Sequence, residues 1–113
     1  MSCVGPTYDI SFKRGNTFTL DINLKLENGA LIDTTNSVFK FFVSENGKRE
    51  NTVIEYNSSV VGALTNSNSG VIIKFDANQT LLYKTSYKFY ELVEYTASGD
   101  VITRLSGKII ICV

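Results

Sequence analysis

The chain contains no histidine, so every mechanism that needs an imidazole as acid, base or metal ligand is excluded, and with it the usual zinc sites. Cysteine is scarce, with Cys3 and Cys112 near opposite ends. In a reducing compartment these are two free thiols, and they can pair only if the termini lie together. A single proline interrupts the chain. No run approaches the ~20 apolar residues of a membrane span, and the opening MSCVGPTYDI lacks the basic start and apolar stretch of a signal peptide. The expectation is a protein made in a cytoplasm with no membrane partner. A surplus of one charge is missing too, since 11 basic and 11 acidic side chains cancel. Without many cationic contacts to release counterions, nucleic acid is not an expected ligand. A neutral chain also repels its copies only weakly, which suits a subunit packed in an assembly.

Clusters that carry chemistry are equally sparse. The glycines stand singly at turn positions and make no phosphate cradle. Glu91 and Glu94 are the one close pair of carboxylates on an expected strand, but residues at odd spacing face opposite sides of a sheet and cannot flank one substrate bond. They read as two charges at a sheet surface or rim. Asp33-Thr34-Thr35-Asn36 is the nearest approach to a calcium loop, and it falls short of the clustered oxygens that ion needs. Asn57-Ser58-Ser59 and Asn78-Gln79-Thr80 match the glycosylation triplet, which without a secretory signal reads as chance. No catalytic residue, cofactor or metal site is expected.

What the chain has is alternation. From Thr17 to Leu26, Phe18, Leu20, Ile22, Leu24 and Leu26 point one way and the polar residues between them the other, as on a strand with one wet face. Ile22 and Leu24 are the expected core. Tyr8–Lys13, Val38–Ser44, Thr52–Tyr56, Val60–Leu64, Val71–Phe75, Tyr87–Tyr95 and Val101–Val113 read as further strands, the last with a possible kink at Gly107. Asn28-Gly29 signals a tight primed turn. Asp76 to Tyr83 loses the two-residue rhythm, and an Asp ahead of Ala and Gln suits a capped helical turn. The fold class is therefore all-β, an antiparallel β-sandwich of Ig-like or jelly-roll-like form with one short helical turn near 76–83. Residues 8–113 make a single domain behind an extended arm, residues 1–7.

Phe41-Phe42-Val43, Val71-Ile72-Ile73 and Ile109-Ile110-Ile111-Cys112-Val113 are apolar on both faces, so something must cover the second face. The cover is either the chain's own loops or neighbouring subunits. With the arm included, the candidate assembly interface is Val4, Pro6, Phe42, Ile110 and Cys112. A second possibility rests on the six tyrosines, of which Tyr87 and Tyr90 could offer rings to a glycan in a carbohydrate-binding module.

The order of motifs resembles a known group. Gly15-Asn16-Thr17-Phe18, the alternating strand, and Asn28-Gly29-Ala30-Leu31-Ile32-Asp33-Thr34-Thr35 are similar to the start of the small β-sandwich domains of tailed-phage virion proteins, typified by the N-terminal domain of the baseplate upper protein family. Gly70-Val71-Ile72-Ile73, Asp76 through Thr80, Tyr87, Gly99-Asp100-Val101 and Gly107-Lys108-Ile109 follow in the same order. Thr85-Ser86-Tyr87 departs from the group by lacking a Gly before the Tyr. Relatives also continue past the position of Val113 into receptor-binding or fibre regions. The resemblance implies a non-enzymatic structural subunit of a virion, made in the host cytoplasm, that docks on other virion proteins and on copies of itself. Its place would be the tail or baseplate as an adaptor, or alternatively the head as a decoration or cement protein.

Overall fold

Period-two alternation in the second strand survives as burial. The computed structural model describes residues 7–25, 28–60 and 62–113. Within strand β2 (Phe18–Asn23), Phe18, Leu20 and Ile22 are half-buried and Thr19, Asp21 and Asn23 are exposed. The other elements are β1 (Ile10–Lys13), β3 (Val38–Ser44), a 3-10 turn (Arg49–Asn51), β4 (Thr52–Asn57), β5 (Leu64–Asn66), β6 (Gly70–Phe75), α1 (Ala77–Leu81), β7 (Phe89–Tyr95) and β8 (Val101–Cys112). They form two facing sheets, one of five strands in the order β1-β8-β7-β3-β4 and one of three in the order β2-β6-β5. Every pairing is antiparallel except β1 with β8.

The core lies between the sheets and is largely aromatic. Phe75 sits at its centre, with ring centroids of Phe12, Phe18, Phe41, Tyr56 and Tyr83 at 5.3 to 6.0 Å. Within the three-stranded sheet the most buried strand is β6, where Val71, Ile73 and Phe75 have no exposed surface. Ile22 and Leu24, the expected core, are only partly buried. The reason is topological: β2 is an edge strand and β6 is the middle strand of its sheet.

Several connections differ from the sequence reading. Lys25 bridges Leu31 across a loop that Asn28-Gly29 occupies. Gly29 takes a positive φ of 87°, and the Asn28 side chain accepts from the Ala30 N–H at 3.0 Å. The turn is thus closed in part by a side chain. No kink occurs at Gly107, because β8 runs through it unbroken. A Cβ there would lie 2.3 Å from the Tyr8 carbonyl oxygen, so the glycine admits the crossing chain. That crossing also shortens the first strand, leaving Tyr8 exposed and outside β1. The strand expected at Val60–Leu64 forms later, as β5, and Val60 is exposed.

The helical turn forms as its cap predicts. Asp76 accepts from the Gln79 N–H at 2.8 Å, and the Gln79 side chain accepts from the Asp76 N–H at 2.8 Å, a reciprocal capping box. Buried Thr80 then ties α1 to the β1–β2 turn, accepting from the Gly15 N–H and donating to the Asn16 carbonyl, both at 2.9 Å.

Candidate functional site

The outer face of the five-stranded sheet divides into a closed half and an open half. Over β3 and β7, Phe42 is 7% exposed and Val93 is fully buried although both point away from the core. Arg49, delivered by the 3-10 turn, roofs Phe42. Its guanidinium lies 5.3 Å from the Phe42 ring centroid while Nε donates to Glu91 at 2.7 Å. That hydrogen bond holds the Arg49 pKa above its ordinary value. Thr103 donates to the other Glu91 oxygen at 3.2 Å, and the Lys40 ammonium lies 5.0 Å from the Tyr95 ring centroid. The cover over Phe42 is therefore the chain's own, which corrects its place among the interface candidates. The sequence signal was a cation in the very next connection, legible only once the β3–β4 turn is folded.

Over β8 and β1 the same face is open. Ile110 pairs with Ser11 and Cys112 with Lys13, and both apolar side chains point outward. Ile110 is 52% exposed, and the Cys112 thiol is free and exposed. Of the remaining candidates, Val4 and Pro6 lie outside the described residues, as does Cys3.

Tyr83, Tyr87 and Tyr90 turn inward. Tyr90 is buried, its ring stacked on Phe41 at 5.3 Å and its hydroxyl donating to the Tyr8 carbonyl. Half-buried Tyr87 meets Tyr83 edge-on at 6.3 Å. Neither ring is free to stack on a sugar, so the glycan contact expected of Tyr87 and Tyr90 has no platform in this fold. Tyr83 is also fully buried, and its hydroxyl makes no well-aligned hydrogen bond among the described residues, with the Tyr56 hydroxyl beside it.

One end of the sandwich holds a polar cleft of about 360 Å³ between the β2–β3 loop and the β7–β8 turn, lined by Ile32, Asp33, Ser37, Glu94, Ser98 and Arg104 among others. Its floor is an ion pair. Glu94 is 1% exposed and points toward the core side, so it is not the rim charge read from sequence. Arg104 Nε donates to one of its oxygens at 2.7 Å, and the Ser37 hydroxyl donates to the other at 2.5 Å. The opposed orientations of Glu91 and Glu94 match the odd spacing. Beside the cleft, the Thr35 hydroxyl and N–H both bond Asp33, holding its carboxyl below the usual range. Asn66 anchors this loop by donating to the carbonyls of Thr34 and Ser37 at 2.6 and 3.0 Å. Among the described residues no cluster of acidic or cysteine side chains could hold a metal ion.

No family model and no curated protein matches the sequence. Solved structures do match the fold. The chain is similar over its whole length to the first Ig-like domain of human CD48 antigen, covering 89% of that chain with a TM-score of 0.50 and 14% identity. The fold is an Ig-like β-sandwich. A second similar structure, Drosophila OTK extracellular domains 3-5, shares 14% identity at a TM-score of 0.45, with 96% of this chain and 33% of that one covered. Ig-like sandwiches of antibody type are pinned by a disulfide between the strands equivalent to β2 and β7, packed on a tryptophan. This chain has no tryptophan, and neither strand carries a cysteine. The Phe41, Phe75 and Tyr90 rings occupy the middle of the sandwich instead.

Proposed function

We propose that this chain is a non-enzymatic structural subunit of a tailed-phage particle, an adaptor that docks in the tail or baseplate through an open sheet face. The observation that carries the docking role is the divided outer face: Arg49 and Lys40 close the half over Phe42, while Ile110 and Cys112 stand uncovered on the other half. Contiguous apolar side chains left bare on one half of an otherwise roofed sheet suit burial against a partner. The virion setting rests on the resemblance of the turn and strand motifs. The inward Tyr87 and Tyr90, and Glu91 and Glu94 already engaged by arginine, weigh against the binding-module and enzyme readings.

The test is incorporation. Particles purified from infected cells should contain the chain at a fixed stoichiometry, and Ile110→Glu should reduce that amount at least several-fold while the isolated domain keeps its fold. Absence of the chain from washed particles would refute the proposal. Normal incorporation of the variant would move the docking surface elsewhere.

A further inference from the structure

The two ends of the sandwich are complementary. Strand directions place α1, the β1–β2 turn and the start of β7 at one end, and the β2–β3 loop and the β7–β8 turn at the other. At the first end Leu81 and Leu82 are 50% and 68% exposed. At the same end Lys13, Arg14, Lys84 and Lys88 are exposed, against one exposed acid, Asp76 at the helix cap, and none of these four cations is in a salt bridge among the described residues. This knob is ordered before it meets anything, because the capping box fixes α1 and Arg14 donates to the Leu81 carbonyl at 2.9 Å. The opposite end carries exposed Asp33 and Asp100 against one exposed cation, Lys25, with the cleft of about 360 Å³, whose lining includes Asp33 and the mutually paired Glu94 and Arg104, and the bare side chains of Leu31 and Val101, which are 60% and 55% exposed.

We infer that copies of this chain stack head to tail, with the Leu81–Leu82 knob and its basic collar seated against the acidic cleft of the next copy. Basic and apolar groups at one end face acidic and apolar groups at the other, so each copy carries both halves of the contact. The cleft is large enough to admit a leucine side chain, and the flanking charges set its orientation. Two different patches make a heterologous contact, which propagates into a rod or closes into a ring. The basic apolar end alone would equally fit an anionic lipid surface; the matching acidic end on the same molecule is what favours a second copy. The inference rests on the assembly role proposed above, but its test does not require a particle.

Sedimentation of the purified chain should show self-association that weakens at least tenfold between about 50 mM and about 500 mM salt, as screened end-to-end attraction requires. Leu81→Ser with Leu82→Ser removes the knob, and Asp33→Lys with Asp100→Lys reverses the cleft. All four sites are exposed, so circular dichroism should confirm that both variants fold. Each variant alone should be monomeric. Mixed, they should form a complex of one of each that grows no further, because only one sound knob and one sound cleft remain. A wild-type chain that stays monomeric up to about 1 mM, or a mixture that does not associate, overturns the inference. Binding to phosphatidylserine and phosphatidylcholine vesicles without self-association overturns it in favour of a membrane. Presence of a non-associating chain in particles would defeat only this inference and leave the subunit role standing.

Discussion

Arg104 reaches the buried carboxylate of Glu94 at 2.7 Å because β8 holds one residue more than β7 at that point. Leu92 pairs with Leu105, but the next residue, Val93, pairs with Thr103. Arg104 is the extra residue of a bulge, and bulges re-aim side chains that regular pleating would send to the other face. The bulge thus supplies the counter-charge that lets Glu94 lie inside. Removing one partner of such a pair strands a charge, whereas replacing both does not. Arg104→Leu should therefore cost about 2–4 kcal/mol, toward the low side because the arginine is partly wet. Arg104→Leu combined with Glu94→Leu should recover most of that loss. Urea unfolding of the three proteins checks it, and equal losses for single and double variants would mean the pair is incidental.

The two buried tyrosine hydroxyls should behave differently. Tyr83→Phe should change stability by less than about 0.5 kcal/mol, since its hydroxyl is buried with no well-aligned partner and only the Tyr56 hydroxyl beside it. Tyr90→Phe should cost about 1 kcal/mol or more, because the Tyr8 carbonyl would lose its donor. Thermal melts of both variants decide this.

Burial also raises the folded-state pKa of Tyr83 and Tyr90 above the ordinary phenol value. Below about pH 10 both phenols are protonated in either state and contribute no pH dependence. Above it the unfolded chain releases protons that the folded chain retains, so stability falls as pH rises. The fall should begin near pH 10 and be shallower in Tyr83→Phe. An unchanged slope in that variant would mean the phenol ionises freely in the folded state.

Phe42 and Ile110 share the outer face but differ in cover. Phe42→Ala should destabilise by about 2–4 kcal/mol, a core-like cost reduced by its position under a partly exposed cation. Ile110→Ala should stay within about 0.5 kcal/mol. Chemical denaturation of the isolated domain measures both. Comparable costs would mean that Ile110 is covered within the chain.

Side-chain alternation made β2, β3 and β6 legible from sequence, and the Asp76 cap marked α1, because both signals are written in neighbouring residues. Burial depth was not, since Ile22 and Val71 alternate equally well and only strand order decides which is central. The bulge at Arg104 is a mismatch in count between two strands, so neither strand alone contains it. The roof over Phe42 likewise joins Arg49 and Glu91, which are brought together by the fold. That Ile110 and Cys112 stand outward was legible because a strand apolar on both faces must turn one of them away from the core.

The docking role is tested most directly by imaging the purified particle at side-chain resolution. The account predicts density for this chain in the tail or baseplate, with Ile110 and Cys112 within about 4 Å of a neighbouring subunit and Phe42 still beneath Arg49. A particle in which the chain is present but Ile110 faces solvent, or in which the chain is absent, would contradict it.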